Sequence, residues 1–173
     1  MHFELLIPGY YIRRGSTLER SLLVKFMQRT YQDLFPTQDF AHLARTVEQY
    51  FSKDTPLWWV EFLGEGVEEQ GSQEEQTKSS PSSPIACVWV GNAIDQVSGN
   101  RHPHIFLLYV VPEHRRRGIG TALMRYVENW AIQRGDRQIG LQVFQSNQAA
   151  LNLYNHLGYQ TQSLWMLKKL DSH

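Results

Sequence analysis

Leu107-Leu108-Tyr109-Val110-Val111-Pro112-Glu113-His114-Arg115-Arg116-Arg117-Gly118-Ile119-Gly120-Thr121 is the stretch whose reading decides the fold. An apolar run beginning at Ile105 meets a proline, then three arginines, then two glycines that open an amphipathic pattern. This describes a strand that delivers the chain to a helix N-terminus with little side-chain bulk. Unpaired amide N–H groups, the positive end of the helix dipole and neighbouring guanidinium groups make such a place an anion site, best suited to phosphate.

Reading outward from it, His104 to Val111 is the most uniformly apolar run and reads as a central strand. Downstream, Ile119, Ala122, Leu123, Tyr126, Val127, Trp130 and Ala131 share one face of a helix over Gly118 to Arg134, which Gly135 stops. Gln138 to Phe144 reads as a strand. Ser146 or Asn147 caps a further helix ending at Gly158, and Thr161 to Leu170 reads as a final strand. Upstream, His2 to Ile7 and Tyr10 to Arg14 are strand-like around the Pro8-Gly9 turn. Ser16 or Thr17 caps a helix running to about Leu34, and Pro36 ends it. Thr37 or Asp39 caps a second helix carrying Phe40, Leu43, Ala44, Val47, Tyr50 and Phe51. The aromatic and branched run Pro56 to Leu63 is a strand, and Ile85 to Asp95 is its partner.

Between these two strands the composition changes. Gly64 to Pro84 is rich in Glu, Gln and Ser, with Val67 its single aliphatic side chain larger than alanine. Such a segment buries too little apolar area to offset its ordering entropy, so a mobile connection within one domain of residues 1–173 is expected. The whole reads as an α/β protein with helices on both faces of a sheet.

Bulk properties narrow the functions. Lys plus Arg and Asp plus Glu both number 17, so no global charge points to nucleic acid or to an anionic membrane. The arginine run lacks the aromatic platforms of a single-strand binder. One cysteine, Cys87, sits in an apolar run and excludes a disulfide framework and a thiolate metal cluster. No apolar stretch approaches a membrane span and no signal pattern opens the chain, so a cytoplasmic protein is expected, without a membrane, nucleic-acid or metal partner.

Two familiar phosphate loops do not fit Arg115 to Thr121. A Walker loop needs Lys then Ser/Thr after its second glycine, and Thr121-Ala122 follow Gly120. A dinucleotide fingerprint needs a third glycine where Leu123 stands and an acidic residue where Gln145 stands. What remains is R-x-x-G-x-G, from Arg115 through Gly118 to Gly120. Twenty-seven positions after Gly120 begins Asn147-Gln148-Ala149-Ala150-Leu151-Asn152-Leu153-Tyr154-Asn155-His156-Leu157-Gly158-Tyr159. With these two motifs at this separation the chain resembles the GNAT superfamily of acyl-CoA-dependent N-acyltransferases. The second motif matches N-x-x-A-x-x-L-Y-x-x-x-G-F/Y at every defined position. The resemblance is specific from about Ile105 to Trp165, and the first hundred residues follow it in element order alone.

The resemblance implies a mixed, mostly antiparallel twisted sheet of six to seven strands, flanked by about four helices and splayed at the central strands. It implies acetyl-CoA as cosubstrate, no metal, and transfer of the acetyl group to a primary amine of a small molecule or peptide by direct attack on the thioester. The amides of Arg116, Arg117, Gly118, Ile119, Gly120 and Thr121 would hold the pyrophosphate with Arg115 nearby, Leu108 and Val110 would pair with the pantetheine arm, and Asn147 would contact the coenzyme. Tyr154 resembles the general acid. A phenol near ~10 stays protonated at neutral pH and can donate to a departing thiolate near ~8.5.

The base is the gap in the pattern. Where some relatives carry a strand carboxylate, this chain has Phe106-Leu107 and Gln142. His104, His102, Asp95 and Glu61 are candidates beside a water chain, while Glu113 and His114 read as surface residues. Tyr31, Phe35, Trp58 and Trp59 could line an acceptor pocket. The final strand or the Gly64 to Pro84 connection could support a homodimer. A non-catalytic acyl-CoA-binding sensor or scaffold is the alternative reading.

Overall fold

The structure, a computed structural model, describes residues 1–64 and 83–171. The described residues form two compact units, Met1–Gln142 and Val143–His173. In the first, β1 (Phe3–Ile7) and β2 (Tyr10–Arg14) form a hairpin. A short 3-10 turn leads into α1 (Arg20–Leu34), followed by α2 (Leu43–Tyr50), β3 (Leu57–Phe62), β4 (Ala86–Ile94), β5 (Arg101–Val110), α3 (Ile119–Gln133) and β6 (Gly140–Leu141). The second unit contains α4 (Gln148–His156).

The sheet has six strands in chain order, antiparallel throughout except for the parallel pair β5–β6. The mixed, mostly antiparallel sheet and the four helices match the expectation. Start signals did their work: Ser16 Oγ accepts from Leu18 N at 3.3 Å while Glu19 Oε2 accepts from Ser16 N at 2.7 Å, which closes a capping box. The expected polar connection, Gly64 to Pro84, lies almost wholly outside the described residues.

Alternation along the strands sorts side chains to two faces. Trp59, Cys87, Trp89, Leu107 and Tyr109 pack with Leu23, Phe26 and Met27 of α1 and with Leu43 and Val47 of α2. Each fully buried side chain of this size stabilises the fold by roughly 1.5–3 kcal/mol. Trp58 points the other way, against Tyr126 and Trp130 of α3. Trp58 and Trp59 are 3% and 0% exposed, on opposite faces, so they are core residues and not walls of one open pocket.

Three expected elements differ. The second helix begins at Leu43 rather than just after Thr37 or Asp39, because a turn closed by Leu43 N donating to Phe40 O precedes it, with Asp39 Oδ1 accepting from Ala41 N. The strand expected over Gln138 to Phe144 is only Gly140–Leu141. Thr161 to Leu170 forms no strand. A strand exists only where a second backbone pairs with it, and none pairs with this run among the described residues.

The register of β4 against β5 slips once. Trp89 faces Leu107 and Val90 faces Ile105, so Phe106 is an extra residue in a β-bulge. Its ring lies over Gly91, where an added Cβ would come within 2.0 Å of Phe106 Cε2. Only glycine fits there with the ring in place.

Candidate active site

The site is built where β5 ends. Val111 N donates to Ile85 O at 2.8 Å, toward β4. Strand alternation then turns the N–H and C=O of Val110 and Leu108 the opposite way, toward the β6 side. There β5 pairs with β6 at only two rungs, His104 with Gly140 and Ile105 with Leu141. Beyond Ile105 the edge of β5 has no strand beside it among the described residues, which is the expected splay. Leu108 and Val110 lie along that edge.

From Val110 the chain turns through Pro112–His114 and reaches α3. Arg116 has φ 62° and Gly118, the residue that starts α3, has φ 84°. Two left-handed residues so close together aim successive backbone N–H groups into one concavity, an anion-binding arrangement. No side chain caps α3, and no acidic residue occupies its first turn. The N–H groups of Ile119, Gly120 and Thr121 therefore lack an intrahelical partner.

The three arginines do three different things. Arg115 donates from Nε to Val110 O at 2.8 Å and from Nη2 to Asp33 Oδ2 of α1 at 2.9 Å, with its guanidinium over the Tyr109 ring. Arg117 donates from Nη1 to Tyr10 Oη of β2 at 2.9 Å. Arg116 carries the positive φ. The outer two are braces that tie the loop to α1 and to the β1–β2 hairpin, and the middle one takes the strained conformation.

Tyr10 completes the second brace. Its hydroxyl accepts from Arg117 and lies 2.7 Å from His114 Nδ1, to which it donates when that nitrogen is unprotonated. The His114 ring packs on Tyr10 and Phe62. His114 is thus a half-buried part of the loop's support and not the surface residue the sequence suggested. Tyr10 and Asp33 were missed altogether. Nothing in the sequence signals a pairing between residues 107 and 82 positions apart.

In the second unit Asn147 Oδ1 accepts from Ala150 N at 3.2 Å and so caps α4. Tyr154 is half-buried on that helix, with its ring edge against Tyr159 at 5.8 Å. Burial pushes its phenol up to about 12.

The base candidates separate clearly. Glu61 is buried and accepts from Arg13 Nε at 2.8 Å, which makes it part of an internal ion pair. Asp95 closes the β4–β5 turn; hydrogen bonds from Val97 N, Ser98 Oγ and Gln138 Nε2 hold its carboxyl below the usual range. His102 Nδ1 lies 2.9 Å from Pro103 O. His104, beside the bulge, has no hydrogen bond among the described residues, and burial, aided by His102, holds its imidazole below the ordinary value.

An open, mostly antiparallel sheet that parts at a bulged strand, with an uncapped helix start at the parting, is the fold that the two sequence motifs led us to expect. The model of the Acetyltransferase (GNAT) family matches residues 23–159, and the chain belongs to that family. It is 29% identical over 113 residues to an uncharacterized N-acetyltransferase of Methanocaldococcus jannaschii, covering 64% of this chain and 48% of that protein. It is 38% identical over 60 residues to a thialysine N-epsilon-acetyltransferase of Mus musculus, covering 35% of each. The chain thus spans about half or less of these two relatives. Among solved structures, a possible acetyltransferase from Clostridium difficile 630 superposes with a TM-score of 0.67 at 16% identity, covering 95% of this chain and 99% of that one. A predicted acetyltransferase with acetyl-CoA from Clostridium acetobutylicum also reaches 0.67, at 18% identity, covering 92% and 96%. Among the described residues no helix is long and apolar enough to cross a membrane.

Proposed function

We propose that the protein transfers the acetyl group of acetyl-CoA to a primary amine. The observation that carries this reading is the β5 edge, which has no strand beside it among the described residues and of which Arg115 engages Val110 O, leading from the uncapped start of α3 to the last β5–β6 rung. Amides of Arg116 to Thr121 suit a pyrophosphate, and an extended arm bearing two amides suits the edge groups of Leu108 and Val110, as an added strand would. The thioester then reaches the apex of the splay.

The amine nitrogen attacks the thioester carbon; a C–N bond forms, the C–S bond breaks, and the thiolate takes a proton. Tyr154 is assigned as its donor. A phenol near 12 is a weaker acid than a thiol near ~8.5, so Tyr154 acts first by a hydrogen bond that strengthens as charge grows on sulfur.

Thiol release from acetyl-CoA, followed with a panel of phenethylamine, L-lysine, spermidine and a short peptide with a free N-terminus, tests this. Amine-dependent release is expected, and Tyr154→Phe lowers turnover at least ~100-fold with acetyl-CoA affinity kept. Tight acetyl-CoA binding without release under any amine would instead favour an acyl-CoA sensor. Wild-type turnover in Tyr154→Phe would remove the assignment of the acid.

A further inference from the structure

Given acetyl transfer at the apex of the splay, we propose that His104 is the proton acceptor for the attacking amine, within an uncharged aromatic acceptor site formed with Phe106 and Tyr50.

The placement follows from the strands. With a strand rise of ~3.3 Å per residue, the open edge from Val110 back to Ile105 runs about 17 Å. An arm that pairs along this edge ends at the first closed rung, Ile105–Leu141, and His104 occupies the next rung, opposite Gly140. The imidazole leans toward that junction. A Cβ added to Gly140 would lie 3.4 Å from His104 Nδ1 and 3.0 Å from His102 Cε1. On the other flank His104 pairs with Gly91 of β4, which also lacks a side chain. The two glycines let rings close in on the flanking strands, the Phe106 ring over Gly91 and the His102 and His104 rings over Gly140, so the imidazole lies against the β6 backbone next to the place where the reacting carbon arrives.

The neighbours give the site its character. The Phe106 ring stands edge-on to His104 at 5.8 Å, to Trp89 at 4.9 Å and near Tyr50 of α2 at 6.1 Å. Among the described residues the titratable group in contact with His104 is His102, on its own strand; Tyr50 touches Phe106, and Gly91 and Gly140 bring no side chain from the flanking strands. The ion pairs Arg13–Glu61 and Arg115–Asp33 are made elsewhere on the sheet. A site walled by rings, with no carboxylate in contact with them among the described residues, attracts an amine through ring faces and apolar contact. It favours an amine on an aromatic or apolar body over a polyamine, whose extra charges would find no partner.

Unprotonated imidazole has a free lone pair to accept with, and desolvation keeps His104 in that form at neutral pH. As the C–N bond forms, the N–H proton passes to His104 and on to solvent. The thiolate receives its proton separately, so the products are the amide and the free thiol.

His104→Gln and His104→Ala are compared with wild type for kcat/KM against pH, using acetyl-CoA and the panel amine that turns over fastest. The expected results are a loss of about 100-fold or more, disappearance of the low-pH limb, and partial recovery of the alanine variant on adding imidazole. Acetyl-CoA affinity and thermal midpoint should stay near wild type, which separates a proton-transfer defect from misfolding. Phenethylamine should outpace spermidine. Unchanged rates and pH profiles in both variants, with an active wild type, overturn the role of His104 alone. No thiol release by wild type with any amine overturns the acetyl-transfer reading and this role with it.

Discussion

Tyr10→Phe isolates the contribution of the brace that ties Arg117 to the hairpin. Tyr10 is 4% exposed, and the substitution keeps the ring and removes only the hydroxyl, so no cavity opens in its packing against Phe62. Two hydrogen bonds disappear, the one from Arg117 at 2.9 Å and the one shared with His114 at 2.7 Å. Arg117 itself is exposed, so the charged bond is discounted to the range of an ordinary one, and each contributes roughly 0.5–1.5 kcal/mol. The total, about 1–3 kcal/mol, lowers the thermal midpoint by roughly 2–4 °C per kcal/mol in a chain of this length. The larger consequence is for the donor. The loop must then be ordered when acetyl-CoA binds, and 1–2 kcal/mol of that cost weakens binding about 5- to 30-fold. Calorimetric titration of acetyl-CoA and the KM for acetyl-CoA should move together, while kcat at saturating donor holds. Donor affinity within twofold of wild type, alongside a lowered melting point, would show that the brace serves the fold and not the cradle.

Other perturbations read other parts of the molecule. Gly91→Ala places a methyl 2.0 Å from the Phe106 ring and should cost about 1–3 kcal/mol in denaturant unfolding, since the ring must leave its seat; Gly99→Ala, with nothing within 4 Å of the new methyl, pays only for its positive φ. Arg13→Met removes the guanidinium that pairs with both the buried Glu61 and Glu19 and should destabilise by roughly 3–5 kcal/mol, whereas a change under 1 kcal/mol would mean that the pair is not buried in solution. For Glu19, burial raises the carboxyl, but the Arg13 hydrogen bond and the Ser16 amide outweigh it and hold it below the usual range. Its stabilisation is therefore complete above the ordinary carboxylate range and lost as pH falls through the lowered value, so an acid titration of unfolding should flatten there in Glu19→Gln. Burial drives the Cys87 thiol far up, and a thiol-labelling reagent at pH 8 should modify it only after unfolding.

The sequence was most legible where the chain's local chemistry is also its tertiary chemistry. The Ser16 capping box, the apolar face of α3 and the glycines at the start of α3 are decided within a turn or two of sequence. Dense apolar runs placed β3, β4 and β5, because most of β3 and β4 is buried on both faces and β5 is buried on one face and half-buried on the other. It failed for Thr161 to Leu170, since residue type alone does not say whether another backbone pairs with a run. The loop that opens α3 was visible through Gly118 and Gly120; its braces were not, because Tyr10 and Asp33 come to the loop from a hairpin and a helix far back in the chain. Trp58 and Trp59 looked like a pocket wall because composition does not distinguish a ring that faces a ligand from one that faces α3. His104 became distinguishable from His102, Asp95 and Glu61 only through their hydrogen bonds.

The most direct test of the donor site is residue-resolved amide hydrogen exchange by NMR, with and without saturating acetyl-CoA. Exchange reports which N–H groups gain a partner. The amides of Leu108, Val110, Ile119, Gly120 and Thr121 should become protected on binding, while that of Val111, already bonded to Ile85 O, should not change. Saturating acetyl-CoA that leaves those five amides exchanging as before would contradict the account.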